Sequence, residues 1–149
     1  MINLFGFSIF LIHIHVTTLA LLLCAVAFAD HEAFAWLRGK KETLSKKILM
    51  RVHLFTWAGL LVMVTTGVQM ALPLADFLVT NVAFYFKMFF VSALIINAVV
   101  IGFLLNVAAE RSFASLSRKE RIPLFISGGV STVSWIGAIV SAFAMGIGL

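Results

Sequence analysis

Residues 88–109 read MFFVSALIINAVVIGFLLNVAA, 22 residues without an Asp, Glu, Lys or Arg. A helix of about 20 apolar residues crosses the hydrocarbon core of a bilayer. No water is available there for backbone N–H and C=O groups. A helix pairs them internally, so it is the form that such a run takes. Working outward, the same absence of charge holds over 1–29, 52–75 and 122–149. Transmembrane helices are therefore predicted at about 5–30, 50–72, 83–108 and 122–147. The connections are short, which makes successive helices antiparallel neighbours. The expected fold is all-α: a single domain over 1–149, built as an up-down-up-down four-helix membrane bundle.

Composition agrees with this reading. Of 149 residues, 62% are hydrophobic and 11% charged, where a soluble domain has about a quarter charged. Disorder and a water-soluble globule are excluded. The net charge of +5 is explained by position. Arg38, Lys40, Lys41, Lys46, Lys47 and Arg51 lie around the first connection, and Arg111, Arg118, Lys119 and Arg121 around the third. The second connection, Leu72-Pro73-Leu74-Ala75-Asp76-Phe77, has no basic residue. By the positive-inside rule, connections one and three are cytoplasmic and both termini lie outside. The expected location is a bacterial inner membrane, with the lipid bilayer as partner and no nucleic acid. Ala27-Phe28-Ala29 resembles a cleavage site. However, no basic region precedes it and the apolar run is longer than a signal's, so the segment is expected to remain as a helix. The lone Cys24 forms no disulfide framework.

Small residues mark helix packing. Ser127, Ser131, Ser134, Ala138 and Ser141 recur at helical spacing in the last segment, and Gly137 and Ser141 form a small-xxx-small pair. Thr65-Thr66-Gly67 does the same in the second segment. Pro123 is expected to open the last helix, where its missing N–H costs little.

Ionisable residues inside a membrane are costly and are functional candidates by default. They are His13, His15, Asp30, His31, Glu32, His53 and Lys87. A hairpin centred near residue 42 puts His31 and His53 at one depth, with Asp30 and Glu32 beside them. Two imidazoles and a carboxylate there would bind a divalent metal or relay protons. The alternative is a hydrated polar patch at the membrane edge. At the other end, His13, His15, Gln69, Met70 and Lys87 share a level. His13 and His15 point about 200° apart at 100° per residue. His13 shares a line with Thr17, Ala20, Cys24, Ala27 and His31, a small and weakly polar stripe expected to face the bundle. His15 leads through Leu19 and Leu22, a lipid-like line, so His13 is expected inside. A buried neutral His in a bundle is a usual axial ligand for haem iron. Lys87 would be a second ligand if neutral, or a propionate partner if charged. Metal ligation is open to His13, His15, His31, Glu32 and His53. Structural hydrogen bonding remains the alternative for all of them.

The order of Ile12-His13-Ile14-His15, Thr66-Gly67, Phe86-Lys87-Met88 and Glu120-Arg121-Ile122-Pro123 resembles the HemJ-type protoporphyrinogen oxidases and the related CopD-type membrane domains. The likeness spans nearly the whole chain through short motifs. It implies haem b in the bundle, with a first-helix His (His13 or His15) and Lys87 essential, Lys87 as the catalytic candidate. The segment after these histidines, Val16-Thr17-Thr18-Leu19, and the inner end, Asp30-His31-Glu32, depart from the HemJ pattern. A divergent member of the superfamily is therefore expected.

Three functions follow. One is a haem b redox protein of the inner membrane, passing electrons between a small substrate and quinone or a protein partner. Another is copper-type metal-ion transport or handling, implied by the CopD likeness. The third is a non-catalytic accessory or assembly subunit of a membrane complex, or of a homo-oligomer. Hydrolysis is not indicated, because no Ser lies at a suitable depth with a His and an Asp. No phosphate-binding Gly loop is present, since Gly128-Gly129 reads as helix packing.

Overall fold

The computed structural model describes residues 4–146, with side chains from residue 8 onward. Among these residues the elements are helical and there is no strand. They are α1 (Leu4–Leu37), α2 (Lys46–Ala71), a short α3 (Ala75–Leu78), α4 (Val82–Glu110) and α5 (Arg118–Gly146). Four helices, all but α3, are long and apolar enough to cross a membrane. Their outward surface suits lipid: Phe103 is 77% exposed and Phe143 74%. Apolar exposure on that scale is not found on a soluble monomer.

The helices run beyond the predicted spans, and each end has a local cause. The first was expected to stop at residue 30, where charge begins, but α1 continues through Asp30-His31-Glu32 to Leu37. Its stop is Gly39, at φ +69°. The Gly39 N–H bonds to the Trp36 carbonyl at 3.0 Å and the Lys40 N–H to the Ala35 carbonyl at 2.9 Å. This is a Schellman ending, which needs a residue at ease in the left-handed region. The α2 helix starts at Lys46 rather than near 50. Asn81 caps α4, its Oδ1 accepting from the Phe84 N–H at 3.2 Å. Before α5, Glu120 reaches back to the Ser117 N–H at 2.8 Å and pairs with Arg111, half of a capping box. That pulls the start of α5 back to Arg118, so Pro123 lies in the second turn rather than opening the helix. The predicted end at residue 147 lies outside the described residues.

In packing, α1 lies on α2, α2 on α4 and α4 on α5, while α1 and α5 are not among the closely packed pairs. Leu22, Leu60, Leu94, Ala98 and Trp135 make one apolar layer with at least one residue from each long helix. Trp36, Leu44, Ala108 and Leu116 make a second layer at the Gly39 end. There the Leu44 N–H bonds to the Ala108 carbonyl at 2.9 Å. The serine stripe on α5 is a packing seam: Ser127, Ser134 and Ser141 are buried. Gly59 sits against Leu22, which is 0% exposed. A Cβ on Gly59 would lie 2.5 Å from Leu22 Cδ2. Gly59→Ala is expected to cost about 1–3 kcal/mol by overpacking. A lower thermal midpoint in detergent checks it, with Gly128→Ala, which meets nothing within 4 Å, as the unaffected control.

Candidate functional site

The candidate residues fall into two groups at opposite ends of the bundle. The first lies where α1, α2 and α4 meet near the Asn81 end. His15 is half-buried, and its Nδ1 lies 2.8 Å from Thr66 Oγ1. Thr66 is 6% exposed and donates its own hydroxyl proton to the Val62 carbonyl at 2.7 Å. With the Thr66 proton directed to Val62, the complementary tautomer of His15 has Nδ1 donating to Thr66. In that tautomer Nε2 keeps a lone pair, as a metal ligand needs. The ring lies beside Gly67: an added Cβ would sit 3.6 Å from His15 Cε1, an ordinary van der Waals contact. Lys87 lies within electrostatic range of the ring. Among the described residues, no carboxylate pairs with Lys87.

His13 does not join this group. It is exposed, and its Nδ1 donates to the Ile9 carbonyl of its own helix at 2.8 Å. The expected orientation is therefore reversed: His15 faces the bundle and His13 faces out. The small-residue stripe misled because small side chains are as tolerable against lipid as inside. Lipid tails are no less apolar than Leu, so polarity does not mark the inner face. Leu22, seven residues from His15 and 0% exposed, lies on the inner line.

The second group lines a cavity of about 220 Å³. Leu60, Leu94, Ala98 and Trp135 of the mid-bundle layer lie at one side, and Trp36, Leu44 and Ala108 of the Gly39-end layer at the other. The expected cluster of His31, His53, Asp30 and Glu32 is not assembled. His31 is exposed and absent from the lining. Glu32 pairs with Lys41 across the Gly39 turn. His53 Nε2 accepts from the Trp57 indole N–H at 3.1 Å and packs against Gly102. Among the described residues, no three His, Cys, Asp or Glu side chains gather to hold a metal ion. Asp30, Glu32 and His53 do share the cavity wall.

The site residue that sequence reading missed is Asn97. It is 5% exposed, lines the cavity, and donates from Nδ2 to the Ser127 carbonyl at 3.0 Å. The available signal was an amide in the middle of the uncharged run 88–109. Ser127, expected as packing, also faces the cavity and is 4% exposed.

Comparisons with family models, with curated proteins and with solved structures find no match to this chain.

Proposed function

We propose that the protein is a haem b-binding redox protein of a bacterial inner membrane, with the haem held at the Asn81 end of the bundle. The observation that carries this is His15: a half-buried imidazole whose Nδ1 lies against Thr66 and whose Nε2 has no hydrogen-bond partner among the described residues. Such a donor set fits haem iron, since a ligating His commonly gives its other N–H to a nearby acceptor that fixes its orientation. Haem, when bound, supplies a one-electron carrier. The chain's own part would be to hold the His15 ring through Thr66 and to bring up Lys87. That side chain serves as a second ligand when neutral or as a propionate partner when charged.

In this reading the bundle runs up-down-up-down, with connections one and three cytoplasmic and both termini outside. Support for the antiparallel order comes from contacts: His15 meets Thr66 and Leu22 meets Gly59, so partner numbers fall as residue numbers rise. Support for the sidedness is the basic residues of connections one and three. A copper-type path is the weaker reading. The two polar ends are separated by the apolar layer of Leu22, Leu60, Leu94, Ala98 and Trp135, which offers an ion no ligand.

An optical spectrum tests the proposal. Protein purified in detergent from haem-replete cells is expected to show a Soret band and a sharpened α-band on adding dithionite. A colourless preparation overturns it.

A further inference from the structure

Connections one and three are held together at the Gly39 end. The Leu44 N–H bonds to the Ala108 carbonyl at 2.9 Å, and the Trp36 indole N–H to the Arg111 carbonyl at 3.0 Å. Lys46 also reaches Glu110, at 3.9 Å. The positive charge of both connections is therefore gathered at one end of the bundle. Residues 38–51 and 110–121 hold ten Lys and Arg against three Glu.

Part of that charge is used inside the protein. Lys41 pairs with Glu32, Lys46 with Glu110 and Arg111 with Glu120. Arg121 lies over the Phe113 ring, 4.7 Å from its centroid, and donates to the Ala114 carbonyl at 3.1 Å. The other six, Arg38, Lys40, Lys47, Arg51, Arg118 and Lys119, are exposed. Among the described residues, none of the six forms an ion pair or a side-chain hydrogen bond. Glu110 and Glu120 are already paired, so these cations have little counter-charge within the chain.

The neighbours of these cations select the partner. On a helix, residues three and four apart are neighbours. Arg38 lies one turn past Phe34, with its guanidinium 5.9 Å from that ring's centroid. Arg51 precedes Leu54 and Phe55 on α2, and Arg118 precedes Ile122 on α5. All four apolar side chains are exposed. On three helices, then, a free cation stands at the rim with a large apolar side chain one turn deeper into the span. A soluble acidic partner would meet the cations and leave the apolar groups beneath them uncovered. A phospholipid complements both, with phosphate at the surface and acyl chains below. A zwitterionic headgroup brings its own cation beside the phosphate, which unpaired Lys and Arg disfavour.

We propose that the Gly39 end of the bundle is a binding surface for anionic phospholipid. The phosphate is held jointly by the free cations of connections one and three, and the acyl chains lie on the exposed side chains one turn deeper. The surface uses neither His15 nor Lys87, and it holds whichever side of the membrane this end faces.

Native mass spectrometry of the protein released from uncharged detergent micelles tests it. The probes are phosphatidylglycerol and phosphatidylcholine with the same acyl chains. Phosphatidylglycerol is expected to bind saturably and the more tightly of the two. One Lys or Arg near an anionic surface is worth about fivefold in affinity. Arg38→Gln with Lys40→Gln, and Arg118→Gln with Lys119→Gln, are each expected to weaken phosphatidylglycerol binding about tenfold or more. Asp76→Asn, which alters net charge in the second connection, leaves it unchanged. Circular dichroism reports folding, and Lys47→Gln with Arg51→Gln replaces a pair that fails to fold. Equal affinity for the two lipids overturns the proposal. Weakening by one pair but not by the other overturns the joint surface. Inorganic phosphate or polyglutamate that displaces the bound lipid assigns the cations to a soluble anion or an acidic partner, and overturns it too. A colourless protein that keeps this lipid preference sinks the haem reading and leaves this one standing.

Discussion

His15→Ala is expected to abolish the Soret band of the purified protein, while His13→Ala leaves it in place. The two residues are identical in chemistry and two positions apart in sequence, so the contrast isolates orientation. The His15 ring is anchored across the helix interface to Thr66, and Thr66 is anchored in turn to Val62 of its own helix. The His13 ring is tied to Ile9 of its own helix and faces outward. Replacing His15 removes the proposed iron ligand, so haem content should fall to background. Thr66→Val is a graded version of the same test. The ligand remains but its orienting acceptor is gone, and loss of such a partner typically weakens metal binding about 10–100-fold. Pyridine haemochrome quantitation on equal amounts of folded protein reads both. Retention of full haem content in His15→Ala, with loss in His13→Ala, would reverse the assignment.

Trp36→Ala is expected to cost about 3–5 kcal/mol of stability, the range for removing a large buried aromatic side chain. Trp36 is 2% exposed and packs with Leu44, Ala108 and Leu116. Its ring meets the edge of Phe113 with centroids 5.3 Å apart. Its indole N–H donates to the Arg111 carbonyl at 3.0 Å. Arg111 itself pairs with Glu120, which caps α5. One side chain of α1 thus holds the α4–α5 connection to the end of the first helix. Equilibrium unfolding in mixed micelles should show the loss. Trp36→Phe should retain most of the packing and lose chiefly the hydrogen bond, about 1 kcal/mol. Equal stabilities for the two variants would show that burial of the ring contributes little.

The four spans were legible in the sequence because absence of charge over 20 residues has one cheap explanation. Their ends were less legible. Charge begins at Asp30, but a helix does not stop where the membrane does. Only the backbone decides that, and the deciding residue was Gly39. Facing direction was the least legible property. In a soluble bundle an apolar line marks the inside, whereas here every line is apolar and packing alone selects one. Gly59 is the sequence trace of that selection, since it is the gap into which Leu22 fits. Asn97 was hidden for another reason: an uncharged amide does not interrupt an uncharged run, yet buried in hydrocarbon it needs partners much as a charge does.

The mid-bundle layer of Leu22, Leu60, Leu94, Ala98 and Trp135 has an electrical consequence. Across a membrane it would be an apolar barrier between the two polar ends of the bundle. Moving a unit charge through that layer works against about 2.3 kcal/mol per 100 mV. On the proposed topology, His15 and Lys87 then take their proton activity from one compartment, and His53 and Asp30 take theirs from the other. On that topology, a pH step on one side should titrate one end and leave the other as it was.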